Sequence, residues 1–355
     1  MTTMQTTFTE TELLLDEHIA EPLVVGGVRC HGGFTDDGTY VSPRTRFRGP
    51  AIEAWRRQHH ELFGTELLDV PLETWPGHFP NVAQARHLIT NGVPEPLIAT
   101  LTRVGTVEGF GANIRYLSPS DMAPYFDDSI AGTAVEHLGK GLFEAHGRDE
   151  AGWEAEAGHK DMWFAARDVA FEGRSADVDT DGMLQRMGFR PASGGSYGGA
   201  AAEPERLLPP DIPAELERIT GFMIRVLLIE ISAFHTFAWA AEWLSDTDLV
   251  AGDGEAGTLV SYIRADETPH VGYLQTALTE MRDRTWRGES GTTYSGAEMV
   301  ATLWDAALAQ SLGPNRRANR ANLLAEVEHW CAQRSDGDEV LDGFLDLGDP
   351  EQREA

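Results

Sequence analysis

The stretch Ile219-Thr220-Gly221-Phe222-Met223-Ile224-Arg225-Val226-Leu227-Leu228-Ile229-Glu230-Ile231-Ser232-Ala233-Phe234 decides how this chain folds. With Phe237, Ala241 and Leu244 it keeps an apolar stripe at intervals of three and four residues, the period of an α-helix. Glu230 stands in the middle of that stripe. A second helical run places Leu259, Val260, Ile263, Leu274, Leu278 and Met281 on one face, and Glu267 and His270 fall on the same face. A carboxylate on a core-facing ridge is costly unless something neutralises it. Paired acids and a histidine on facing helices are how bundle proteins hold two metal ions.

The two runs also agree in register. From Glu230 to Ser245 is about 15 residues, or roughly 22 Å of rise, and from Gly254 to Glu267 about 13 residues, or roughly 20 Å. An antiparallel hairpin therefore returns both acids to one level. The competing assignment is structural: acids satisfied by Arg225, Arg264 or a buried water.

Working outward, helical periodicity predicts helices near 50–63, 82–91, 94–117, 129–147, 157–172, 212–245, 254–285, 294–312, 315–334 and 338–346. Residues 1–48 read as an irregular N-terminal segment with a short strand at 23–28, and 49–355 as one helical di-metal domain. The Gly/Ser-rich loop at 190–212 separates two helical groups. The expected fold is all-α, a helical bundle with a small irregular N-terminal lobe. No Gly-rich loop joins a strand to a helix, so a dinucleotide fold is disfavoured, and there is no Gly-x-Ser-x-Gly elbow.

The formal net charge of −29, from 57 acids against 28 bases, repels nucleic-acid phosphates and anionic membranes. Cys30 and Cys331 have neither metal-ligand nor disulfide-framework spacing. The N-terminus carries no signal pattern and no stretch reaches a membrane span of about 18 apolar residues, so the expectation is a cytoplasmic protein.

Three Glu-x-x-His pairs occur, at Glu156/His159, Glu267/His270 and Glu326/His329. The last lies beside its apolar stripe and reads as a solvated edge. Glu267 and His270 lie on theirs, about 60° apart around the helix and roughly 4.5 Å along it, so both can reach one metal or two neighbouring ones. His159 opens an inward ridge of Met162, Trp163, Ala166 and Val169. Among the acids before it, Glu150 ranks first as a ligand, with Glu156 and Glu144 behind. His59-His60 read as polar surface, and His235 as off the Glu230 face.

The run Arg148-Asp149-Glu150-Ala151-Gly152, followed by Gly158-His159-Lys160-Asp161-Met162-Trp163, resembles the Asp-Glu-x-Gly…His-x-x-Leu/Trp segment of haem-oxygenase-like di-iron oxidases. Glu230 and Glu267-x-x-His270 are similar to that family's later helices, and the resemblance covers residues 144 to 274. It implies Glu150, His159, Glu230, Glu267 and His270 as ligands to two iron ions (Fe2+/Fe3+), with O2 as co-substrate. One departure is that such enzymes usually carry a further His four residues before the final acid, where this chain has Ile263. A ferritin-like carboxylate template would instead pair Glu156 with His159 and take Glu108 or Glu136 as a lone upstream acid.

The resulting expectation is a non-haem di-iron oxidase or oxygenase acting on a small substrate, an amino acid or amine, by N-oxygenation, desaturation or cyclisation in specialised metabolism. Electrons would come from an external donor, because no reductase module is present. A homodimer through exposed apolar helix faces stays open beside a monomer. The alternatives are a ferritin-like iron-binding protein without organic oxidation, and a non-catalytic helical binding protein.

Overall fold

A computed structural model describes residues 5–15, 24–30, 32–35, 37, 39–117, 119, 121–174, 189–190, 199–200 and 206–348. The fold is all-α, with β-structure among the described residues limited to two-stranded antiparallel pairs and an isolated bridge between Phe126 and Trp286. The helices are α1 (Glu10–Leu13), α2 (Thr45–Phe63), α3 (Val82–Thr90), α4 (Glu95–Gly111), α5 (Ala134–His137), α6 (Phe143–Ala151) and α7 (His159–Ala170). They continue with α8 (Ala214–Leu244), α9 (Glu255–Asp266), α10 (Thr268–Arg282), α11 (Gly296–Gln310), α12 (Arg316–Cys331) and α13 (Gly337–Asp346). Most of the Gly/Ser-rich loop expected at 190–212 lies outside the described residues.

α8 is the axis of the fold. It is long and apolar enough to cross a membrane by length and composition, but 56% of its most apolar window is buried inside the protein. Its first half, with Ile219, Met223, Leu227 and Leu228, packs into one apolar cluster with Leu142, Phe143, Tyr273, Leu274 and Leu278. Its second half, with Phe237, Ala240 and Trp243, packs into another with Leu101, Met162, Trp163, Leu259 and Ile263. Glu230 falls at the waist between the two. α9 belongs to the second cluster and α10 to the first, so the chain crosses the same waist at Glu267.

Three expected helices are interrupted, each for a visible reason. The segment 254–285 breaks at Glu267, which ends α9 and precedes α10. Pro269 has no N–H to give to the carbonyl four residues back, and its ring crowds that carbonyl. The segment 129–147 is helical only at α5, then opens into a wide turn over Leu138–Leu142. There Gly141 takes φ 123°, closed to side chains, and its Cα faces Leu13 so closely that a Cβ would lie 3.0 Å from the Leu13 Cβ. Helix then resumes as α6 and runs on to Ala151. The segment 94–117 ends as α-helix at Gly111 and finishes as a tighter 3-10 turn over Ala112–Leu117.

The N-terminal segment is tied closely to the helices. α2 starts at Thr45 rather than near 50, and Arg44 and Arg48 are buried. The hairpin of Gly33–Phe34 with Tyr40–Val41 is fastened to α9 by the Ser42 hydroxyl, which donates to the Ala265 carbonyl at 2.9 Å. His59, expected on a polar surface, is buried instead, with Nε2 2.8 Å from Asp283 Oδ2. Facing α10 across α2 brings that ring inward.

Buried Glu280 on α10 caps α5, accepting from the backbone N–H of Ala134 at 3.2 Å and of Val135 at 3.0 Å. Burial pushes its carboxyl up to about 7, against the pull of Arg284 and the two N–H groups. A carboxyl whose pKa rises on folding binds more protons when folded, so its contribution is complete below the unfolded pKa of about 4.5 and is lost as pH rises through about 7. Glu280→Gln should therefore flatten the wild-type fall in thermal stability across that window, by up to about 3 kcal/mol. Melting curves of both proteins across the range check it; parallel pH profiles would refute it.

Candidate metal centre

Six side chains from five helices converge at the waist, joined by Glu108 from α4. α6 supplies His146 and Glu150, one turn apart and so on one face. α7 supplies His159 from its first position, α8 supplies Glu230, and the α9–α10 junction supplies Glu267 and His270. All are buried except Glu108, which is half-buried. Glycine makes one close approach possible: a Cβ on Gly111 would sit 2.6 Å from Glu150 Cδ, so the end of α4 must lack a side chain there.

The ligand-type atoms divide into two groups. In the first, His146 Nε2 lies 3.6 Å from both Glu150 Oε1 and Glu230 Oε1, and His270 Nδ1 lies 3.5 Å from Glu150 Oε1 and 4.0 Å from Glu230 Oε1. Glu267 Oε2 approaches the same His270 nitrogen at 2.5 Å. The His146 and His270 rings stack with centroids 3.8 Å apart and planes 9° from parallel. In the second group, His159 Nδ1 lies 3.3 Å from Glu150 Oε2 and 2.7 Å from Glu267 Oε1, with a Glu108 oxygen beside them. Glu150 and Glu267 thus each turn one oxygen to either group, so both carboxylates could serve two neighbouring ions.

Glu267 lies at hydrogen-bond distance from His159 and His270, whereas the contacts of His146 are wider than a hydrogen bond. Two ligands about 2.1 Å from one ion and about 90–110° apart are themselves about 3.0–3.4 Å apart. His146 Nε2 is buried with no hydrogen-bond partner, and its nearest acids stand at 3.6 Å, too far to bond but close to that spacing. The donor set is carboxylate and imidazole without thiolate, which suits iron, manganese or zinc.

Each imidazole is steered from behind. His270 Nε2 lies 3.0 Å from Asp149 Oδ2, His146 Nδ1 lies 3.0 Å from the Tyr273 hydroxyl, and His159 Nε2 lies 3.6 Å from Asp266 Oδ2. Such partners fix ring orientation and leave the opposite nitrogen aimed at a metal. Asp149 is in turn held by Arg44 Nε at 2.8 Å and Arg48 Nη2 at 2.8 Å.

Charge supplies the strongest argument. Around the waist stand the carboxylates of Glu108, Asp149, Glu150, Glu230, Asp266 and Glu267, faced by the guanidiniums of Arg44 and Arg48. With the imidazoles neutral, as metal binding requires, the excess is four negative charges, the charge of two divalent cations. Without a cation the groups must share protons. Burial and then Glu267 push Glu230 well above the usual carboxylate range, and burial, Glu267 and Glu150 do the same to Glu108. Burial opposes charge on Glu267 as well, but His159 and His270 hold it well below. Burial would lower His159 and His270, yet the acids around them raise both. Burial and then His270 drive His146 down, leaving it neutral and able to bind a metal.

Of the residues singled out from the sequence, Glu150, His159, Glu230, Glu267 and His270 come together here. Glu144 and Glu156 do not. Glu144 precedes His146 by two residues, about 200° around α6, and its carboxylate accepts from Arg148 Nε at 2.8 Å. Glu156 sits on the reversal between α6 and α7, where Gly152 and Gly158 pack backbone to backbone, and it lines a surface cleft. Glu136 bonds Lys140 at 2.8 Å, away from the site, whereas Glu108 is part of it.

His146 was missed. Its signal was the His146-x-x-x-Glu150 spacing, obscured by Gly147 and Gly152, which suggested a broken helix. It supplies from α6 the second imidazole of its group, while Ile263 stays buried in the apolar cluster. No protein-family model matches the chain, and no curated protein or solved structure is significantly similar to it.

Three variants test the assignment. His146→Ala should lower bound Fe(II) or Mn(II) from two ions per chain towards one, measured by elemental analysis after dialysis, while Glu144→Ala leaves the content unchanged. Asp149→Asn leaves two buried guanidiniums short of a counter-charge, so unfolding should show a loss of about 3–5 kcal/mol. The same variant should bind metal about 10–100-fold more weakly.

Proposed function

We propose that this protein is a non-haem di-iron oxidoreductase that uses O2, with electrons from an external donor, to oxidise a small amino acid or amine. One observation carries the reading: Glu150 and Glu267 each face two ligand groups inside a buried site whose excess charge equals that of two divalent ions. The resemblance of the 144–274 segment to haem-oxygenase-like di-iron oxidases agrees with it. When bound, two irons would supply the redox chemistry that activates O2.

The chain's own contribution is to hold and orient. His146, His270 and Glu230 would complete one coordination shell, and His159 with Glu108 the other. Seven donor side chains over two ions leave positions for O2. Glu108 is the half-buried member, so its side of the cluster is the one nearest solvent. Metal entry would release the protons that Glu108 and Glu230 otherwise keep, making affinity rise with pH. The net charge of −29 favours approach of a cationic substrate, which supports an amine over an anionic acid.

Anaerobic Fe(II) titration followed by O2 mixing tests the proposal. The expected outcome is two irons per chain, a transient visible absorption, and O2 consumption that a matching amine or amino acid accelerates. Glu230→Ala should abolish the acceleration. Iron uptake with O2 consumption indifferent to every amine would identify an iron-storage protein instead, and no iron binding would identify a structural charge cluster.

A further inference from the structure

A chain of contacts leads from the second ligand group out to the N-terminal hairpin. Behind His159, the Asp266 carboxylate lies 3.6 Å from Nε2. On its other side the Tyr40 hydroxyl donates to Asp266 at 3.0 Å to Oδ1 and 3.2 Å to Oδ2. The Tyr40 ring stacks on Tyr262 with centroids 4.3 Å apart and planes 19° from parallel. Phe34 closes edge-on over both rings, at 5.8 Å from Tyr40 and 5.9 Å from Tyr262. A Cβ on Gly32 would fall 2.1 Å from the Tyr40 hydroxyl, so bare backbone is what lets the phenol reach its acid.

The Tyr40 hydroxyl gives the buried Asp266 carboxylate a hydrogen-bond donor. A donor alone could be supplied by a smaller hydroxyl or amide, and the Tyr40 ring is stacked on Tyr262 as well. What the phenol adds is an oxidisable ring with a proton acceptor in hydrogen-bond contact and a second such ring stacked behind it. We propose that Tyr40 is an electron-relay residue serving the metal pair, with Tyr262 as its stacked partner. This rests on the di-iron reading above.

The step balances as follows. With two irons bound and oxidised by O2, Tyr40 would give up one electron towards them through the Asp266–His159 contact. The Tyr40 O–H bond breaks, its proton passes to Asp266 Oδ1, and a neutral tyrosyl radical remains. An external one-electron donor, a reduced flavin or iron–sulfur protein, then returns one electron across the Tyr262 stack, and the proton goes back from Asp266 to Tyr40. Each cycle moves one electron inward with no net proton change. Tyr40 and Tyr262 act at a distance from substrate, so they are relay rather than catalytic residues.

The test uses the full chain loaded anaerobically with Fe(II), mixed with O2 without substrate and freeze-quenched for EPR. The expected result is an organic-radical signal with tyrosyl hyperfine structure that collapses in protein grown on ring-deuterated tyrosine. Tyr40→Phe, which keeps the stacked ring and loses only the hydroxyl, should retain two irons and lose the signal. Tyr262→Phe should keep the signal but slow its decay when a one-electron donor is added. Two irons oxidised by O2 with no radical in the wild type, or a radical that survives in Tyr40→Phe, would overturn the relay while leaving the metal centre standing. Iron lost in Tyr40→Phe would make Tyr40 a structural support of His159 and overturn the relay too. No iron in the wild type would overturn both proposals.

Discussion

Carboxylates crowded together where two apolar clusters meet set the terms for the rest of this structure. Isolated carboxylates in such a place would cost several kcal/mol each, so they persist only with counter-charge or protons. Arg44 and Arg48 offset part of the charge and, through Asp149, orient His270. They also bind the N-terminal segment to α6, so the residues before α2 are a wall of the site rather than an appendage. Tyr40 plays the matching part on the other side, reaching Asp266 behind His159.

The irregularities of the helices make sense against the same constraint. A straight helix over 254–285 would carry Glu267 and His270 as ordinary neighbours on one ridge. The break before Pro269 lets Glu267 turn an oxygen to each ligand group. The wide turn at Leu138–Leu142 resets the phase of α6, so that His146 and Glu150 face inward and Glu144 faces Arg148 and Arg115. Gly111 yields the space that the Glu150 carboxylate occupies. Each departure from regular helix places or clears a donor.

The two ligand groups are unequal. One has two stacked imidazoles and is fully buried; the other has a single imidazole and the half-buried Glu108. The cluster therefore has a buried side and a side nearer solvent, and Tyr40 stands behind the single imidazole of the latter through Asp266.

From the sequence alone came the all-α class, the helices in outline and the inward direction of Glu230, Glu267 and His270. These follow from local periodicity: a residue's place on a helix face depends only on its neighbours within a turn or two. Glu150 and His159 were legible through a short motif. Only the tertiary structure decided that His146 and Glu108 join them, that Glu144 and Glu156 do not, and that Arg44, Arg48 and Tyr40 stand behind the cluster. Those outcomes depend on helix phase after glycine-bearing turns and on contacts between segments about a hundred or more residues apart. Neither leaves a periodic trace in the chain, because a turn that resets phase by one residue moves every later side chain to a new face.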